Sequence, residues 1–176
     1  MTGAGVLSIR EVNALEIEQF EWLFGNVIEH CPEAARAVAL QRPFATVRGL
    51  KRAFCDYLDG LDTYAKESVL LSHPDLAGKL CDEKKLTQES ENEQNSAGIN
   101  AMTKEERLTF NNLNQMYKEI FSFPFVICAR ENRVQTILTA IEERLKNSRK
   151  VELKTGIEEV KKICSLRIND LVWPDA

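Results

Sequence analysis

The chain has 176 residues, a formal net charge of -4, 44% hydrophobic and 28% charged residues, and only 8 glycines and 5 prolines. That length suits one domain with a single core, able to bury roughly 70% of the surface its unfolded form exposes, and the composition excludes disordered, collagen-like and fibrous classes. The acidic balance argues against nucleic acid as a partner, and the absence of any apolar run near the roughly 18 to 20 residues of a membrane span argues against a bilayer.

In chain order, Met1-Thr-Gly-Ala-Gly-Val6 has neither the charged start nor the apolar stretch of a signal peptide. Ser8-x-x-Glu11 has capping-box spacing and opens a helix. Gly25-Asn26 reads as a helix C-cap, Pro32 as a first-turn proline and Arg42-Pro43 as a stop, giving two helices ahead of a third from about Thr46 to Leu61. A helix through Val69 and Leu70 should end at His73, because Pro74 disfavours the α region for the residue before it. Lys79 to Lys85 reads as a loop, Thr87 as a cap, and Thr103-x-x-Glu106 as a second capping box. Leu113, Met116, Tyr117 and Ile120 fall at i, i+3, i+4, i+7 and predict a core face, as do Val134, Ile137, Leu138, Ile141 and Leu145. Between them, Phe123 to Ala129 is apolar with an early proline and reads as a buried extended connector. The basic stretch from Arg144 to Lys150 ends one helix and begins another, and reads as a solvated face. No alternating run with a hairpin turn is present. The expectation is an all-α, single-domain bundle of about eight helices spanning 1–176, with its core at about 10–172.

Three features break the rules of a purely structural bundle, and such breaks are where function is expected. His73 stands at a rigid corner, either capping a helix C-terminus or serving as a titrating group held in place. Ser90, Glu93, Gln94 and Ala97 form a polar stripe where an apolar face would stand, so that helix is either wholly exposed or lines a polar pocket. Arg167 falls on the same arc as Leu153, Ile157, Val160, Cys164 and Leu171. It should therefore meet an internal carboxylate or an anionic ligand, unless it snorkels outward near the helix end. Cys31, Cys55, Cys81, Cys128 and Cys164 make an odd number without C-x-x-C spacing and are expected as reduced thiols. With only His30 and His73 as histidines, no zinc site is expected.

Four stretches read together carry a resemblance: His73-Pro74-Asp75-Leu76-Ala77-Gly78-Lys79; Leu86-Thr87-x-Glu89-Ser90-x-x-Glu93-Gln94-x-x-Ala97-Gly98; Phe123-Pro124-Phe125-Val126; and Glu158-Glu159-Val160-Lys161-Lys162-Ile163. In order, from about Val12 to Leu171, the chain resembles the 2-oxo-4-hydroxy-4-carboxy-5-ureidoimidazoline (OHCU) decarboxylases of uric acid breakdown. The resemblance implies an all-α, usually homodimeric enzyme, free of metal and organic cofactor, that converts OHCU to (S)-allantoin and carbon dioxide. Carried over residue by residue, it implies a catalytic histidine at His73 and a helix carboxylate at Glu93, with Arg167 an arginine near the site. Pro74, Ser90, Glu91, Asn92, Glu93, Gln94, Phe125, Val126, Ile127, Cys128 and Ala129 match substrate-contacting positions. Ser122 stands where relatives often have Gly, and Ala39 where a Trp is common. Animal relatives often end in a peroxisomal tripeptide and Pro174-Asp175-Ala176 is not one, which leaves cytoplasm and peroxisome both open.

The chemistry implied asks little of a cofactor. Decarboxylation leaves an electron pair on the carbon that held the carboxylate, and the adjacent ring imine of OHCU can accept it. The protein then has to hold the carboxylate out of conjugation, stabilise charge moving into the ring and deliver a proton to one face. Imidazole suits the last task. Two competing readings are a helical adaptor that binds a partner helix without turnover, and a hydrolase of a related ureido compound.

Overall fold

Capping boxes start the first two helices in quick succession. The structure is a computed structural model in which residues 6–78 and 85–176 are described. Helix α1 (Ile9–Ala14) follows the Ser8/Glu11 box, and α2 (Ile17–Phe24) follows a second box in which Glu16 and Gln19 reciprocate. Leu15 and Glu16 are extended between them, so the first of the two helices expected ahead of Thr46 is two short ones. The Glu16 box satisfies a fresh set of orphan N–H groups, which makes the break tolerable.

Helix α3 (Pro32–Ala39) has its proline in the first turn, α4 (Val47–Asp59) is capped by Thr46, and α5 (Thr63–Leu71) is capped by Asp62. Further on, α6 (Gln88–Ser96) is capped by Thr87, α7 (Lys104–Phe121) by the Thr103/Glu106 box, and α8 (Val134–Arg144) and α9 (Arg149–Asn169) complete the order. Short 3-10 turns stand at Ile99–Ala101 and Ala129–Glu131. The described residues thus hold nine α-helices and, apart from a single parallel bridge at Leu7 and Val172, no paired strand. No helix among them is long and apolar enough to cross a membrane. Residues 1–5, where no signal peptide is expected, most of the loop read at Lys79 to Lys85, and Cys81 lie outside the described residues.

The chain forms two compact units, one of residues 1–72 with 161–176 and one of residues 73–160. In the first, α3 packs on α2 and α4 around Phe20, Phe24, Leu50, Phe54 and Leu58, all fully buried. Phe20 and Phe24 have ring centroids 4.6 Å apart, and Arg42 lies over Phe20. The Asp175 carboxylate accepts from the Val47 and Arg48 N–H groups, at 2.8 and 3.1 Å. Those bonds hold the Asp175 carboxyl below its ordinary pKa.

The second unit has an aromatic core in which Tyr117 touches Phe121, Phe123 and Phe125 at centroid distances of 4.5, 6.2 and 5.4 Å. The buried face of α7 is Phe110, Asn114, Tyr117 and Phe121, whereas Met116 and Ile120 are exposed. The expected Leu113, Met116, Tyr117, Ile120 face is therefore rotated. Phe110 and Phe121 each offer more apolar area than Met or Ile, and the helix turns to bury them.

Candidate active site

Pro74 does to the chain what its ring dictates: α5 ends at Leu71, and His73 begins an irregular segment with its side chain buried at 8% exposure. The second unit opens with this residue. Among the described residues no hydrogen bond reaches His73 Nε2, a buried ring nitrogen, although the residue interacts elsewhere. Asp75, two residues on, is salt-bridged to Lys118 of α7 at 2.7 Å. Ala77 follows in the left-handed region at φ 51°, its N–H donating to Gln94 Oε1 at 3.2 Å.

Gln94 belongs to the polar stripe, and the stripe is buried. Ser90, Glu93, Gln94 and Ala97 are 5%, 8%, 3% and 2% exposed, so the alternative of a wholly solvated α6 is excluded. Glu91 and Asn92, also matched to substrate-contacting positions, lie on the exposed side of α6 and are not brought together with it. The stripe helix packs against the turn Ala129–Glu131, so the segment Phe125 to Ala129 ends beside it. That segment is buried from Phe125 to Ala129 and carries no regular structure before the turn, as an extended connector should.

Two buried acids and an arginine hold this connector. Arg144 donates to the Val126 carbonyl at 2.7 Å and to Glu152 at 2.8 Å, with its guanidinium 4.4 Å from the Phe125 ring centroid. Tyr117 donates its hydroxyl to the same Glu152 carboxylate. Arg144 is therefore not part of a solvated face as expected. The aromatic surface and Glu152 draw it inward, and only the rest of the stretch, from Lys146, stays exposed. On the other side, Cys128 N–H donates to Glu159 at 3.3 Å. Burial pushes the Cys128 thiol up to about 11, helped by the negative charges of Glu131, Glu159 and Glu93. At neutral pH Cys128 is a thiol, so it does not supply a thiolate nucleophile for hydrolysis.

Arg167 lies in the first unit, and the choice posed by the sequence falls to an internal carboxylate. Its guanidinium is 2.8 Å from Glu29 and donates to the Asn26 carbonyl at 2.8 Å, with the two side chains 3% and 0% exposed. Snorkelling is excluded. Glu29, the partner, carries no local sequence signal of burial: an acid after an apolar pair such as Val27-Ile28 is as common on exposed helix faces. Ser122 takes φ 63° and ψ 21° at the end of α7, the left-handed conformation that glycine holds at such helix ends.

The fold and the buried polar stripe beside a rigid histidine corner define the class: an all-helical protein that buries a row of polar side chains where a purely structural helix would bury apolar ones. Comparison with known proteins then gives the family, since the OHCU decarboxylase profile matches residues 13–169. The chain belongs to the OHCU decarboxylase family. It is 43% identical to the 2-oxo-4-hydroxy-4-carboxy-5-ureidoimidazoline decarboxylase of Amia calva over 166 residues, 94% of this chain and 95% of that one. The protein of the same name from Xenopus laevis is also 43% identical, over 94% of each chain. A crystal structure of an OHCU decarboxylase in the presence of (S)-allantoin superposes with TM-score 0.68 at 23% identity, covering 89% of this chain and 98% of that one, which is a likeness of fold.

Proposed function

We propose that this chain is a carboxy-lyase of uric acid catabolism that converts OHCU to (S)-allantoin and carbon dioxide, within one domain and without a cofactor. The observation that carries the reading is the burial of Ser90, Glu93 and Gln94 on α6 in a chain of this family, with Gln94 hydrogen-bonded to the His73–Gly78 segment. Stripe and corner belong to one construction, which an adaptor surface does not require.

In this reading the bond from ring carbon to carboxylate breaks, carbon dioxide leaves, and the electron pair moves into the ring imine. Protonated His73 gives its proton to the planar carbon on one face and is reprotonated from solvent. Glu93 accepts from a ureido or ring N–H. Gln94 has its Oε1 occupied by the Ala77 N–H, so its amide N–H groups are what it offers a ureido carbonyl, with the Ser90 hydroxyl beside it in the stripe. Phe125 to Ala129 supply the apolar wall and backbone groups, and Pro74 the rigid edge. Glu91, Asn92 and Arg167 enter through the resemblance alone, Arg167 as an arginine near the site. The resemblance likewise supports a homodimer, working in the cytoplasm or the peroxisome.

The test is freshly generated OHCU, followed by absorbance for its loss, by circular dichroism for chiral product and by carbon dioxide release. Accelerated loss with (S)-allantoin and stoichiometric carbon dioxide is expected. Loss without carbon dioxide would favour the hydrolase, and no acceleration the adaptor.

A further inference from the structure

Ala77 holds a backbone conformation that an L-residue with a Cβ adopts only when its surroundings impose it. Those surroundings are specific. Its N–H donates to Gln94, and its carbonyl accepts from Arg107 at 3.3 Å. Two residues earlier, Asp75 meets Lys118 at 2.7 Å, and the Gly78 N–H closes the turn onto the Asp75 carbonyl at 3.3 Å. A Cβ at Gly78 would stand 2.7 Å from Asp75 Cβ, so the turn closes this tightly only on glycine. Arg107 and Lys118 are both on α7, eleven residues and therefore just over three whole turns apart, which puts the two cations on one stripe. One helix face thus grips the segment that begins with His73 at two points.

The Lys118–Asp75 pair is partly exposed, at 39% and 29% of the two side chains, and such pairs contribute little to stability. What the pair does is fix a position. We propose that Lys118 is a positioning residue for the decarboxylation: acting through Asp75, beside the Arg107 contact at Ala77, it holds the His73–Gly78 corner so that the imidazole faces one side of the planar intermediate. This rests on the reading of His73 as proton donor given above. A misplacement of about 1 Å at a reacting group is enough to cost on the order of 10²-fold in rate, so loosening this grip acts on turnover and on facial choice together.

The experiment compares wild type, Lys118→Met, Lys118→Arg, Asp75→Asn and the double variant Asp75→Asn/Lys118→Met on fresh OHCU. Enzyme is raised until spontaneous decay is negligible, and kcat, KM and the enantiomeric excess of allantoin are read beside the urea midpoint. Lys118→Met should lower kcat roughly 10- to 100-fold with KM little changed, and lower the enantiomeric excess, at a near-unchanged midpoint. Lys118→Arg, which can still reach Asp75, should recover most of both. Asp75→Asn should reproduce the Lys118→Met effects, and the double variant should add nothing further, since both break one contact. Unchanged kcat and enantiomeric excess in Lys118→Met and Asp75→Asn, beside an active wild type, would overturn the proposal. So would a rate that falls only with the folded fraction while the excess stays intact. A wild type that does not turn over OHCU removes the functional reading, and the clamp with it.

Discussion

Replacing Arg167 with Met separates what the guanidinium does for the fold from what it does for the reaction. The substitution keeps most of the apolar stem on its arc of α9 but takes from the Glu29 carboxylate, whose side chain is 0% exposed, the guanidinium 2.8 Å away, and from the Asn26 carbonyl its 2.8 Å donor. Breaking a buried pair by removing one partner typically costs about 3–5 kcal/mol. At about 2–4 °C per kcal/mol for a chain of this size, the melting temperature should fall by roughly 10 °C. Glu29→Gln should be destabilising for the converse reason. The double variant Arg167→Met/Glu29→Gln leaves no buried charge and should be more stable than the sum of the single losses implies, by about 1–3 kcal/mol. Thermal and urea unfolding followed by far-ultraviolet circular dichroism supply the cycle. Activity measured well below the lowered transition then reports on chemistry alone, and a further loss there is expected if Arg167 also serves the reaction, as the family resemblance implies. An Arg167→Met melting temperature within about 2 °C of wild type, or strict additivity in the cycle, would refute the buried pairing.

Arg144→Met should be comparably destabilising, by about 3–5 kcal/mol in urea unfolding, because it removes the cation from the buried Glu152 carboxylate, leaving it to the neutral donors Tyr117 and Asn147, and frees the Val126 carbonyl. Ser122→Gly should stabilise by about 1 kcal/mol, since an exposed residue at φ 63° is relieved of its Cβ penalty; destabilisation would mean that the serine side chain is needed there. Asp175 is held below its ordinary pKa by the Val47 and Arg48 N–H groups, so its contribution is present above the unfolded value and is lost as pH falls through the folded one. Asp175→Asn should therefore lower stability at neutral pH and flatten the loss between about pH 4 and the acid limit, with the two proteins converging there.

Much of the site is readable from helical periodicity, because that geometry projects one-dimensional spacing onto a face. The stripe at Ser90, Glu93 and Gln94, the inward arc of Arg167 and the proline-enforced corner at His73 are all local rules carried into three dimensions. What escapes is set by partners far along the chain. Arg144 looks like one more surface cation until Glu152 and the Phe125 ring are placed around it, and the grip of Lys118 on Asp75 spans 43 residues. Likewise the face that α7 buries is decided by which aromatic rings the rest of the unit can enclose, and no window of its own sequence contains that information. The Leu15–Glu16 break is a different case. Glu16 and Gln19 have the spacing of a capping box, but glutamate is an uncommon first member, and the signal passes unread beside Ser8 and Glu11.

The central claim is that His73 delivers the proton that sets the configuration of the product. It is tested most directly by the enantiomeric excess of allantoin made from fresh OHCU by His73→Asn, at enzyme levels that exceed spontaneous decay. The planar intermediate takes a proton from free water on either face, so the variant should turn over roughly 10²-fold more slowly or worse, with its product drifting towards the racemate while the fold is retained. Near-wild-type rate together with an undiminished (S)-excess would contradict the claim and leave His73 as the residue that ends α5.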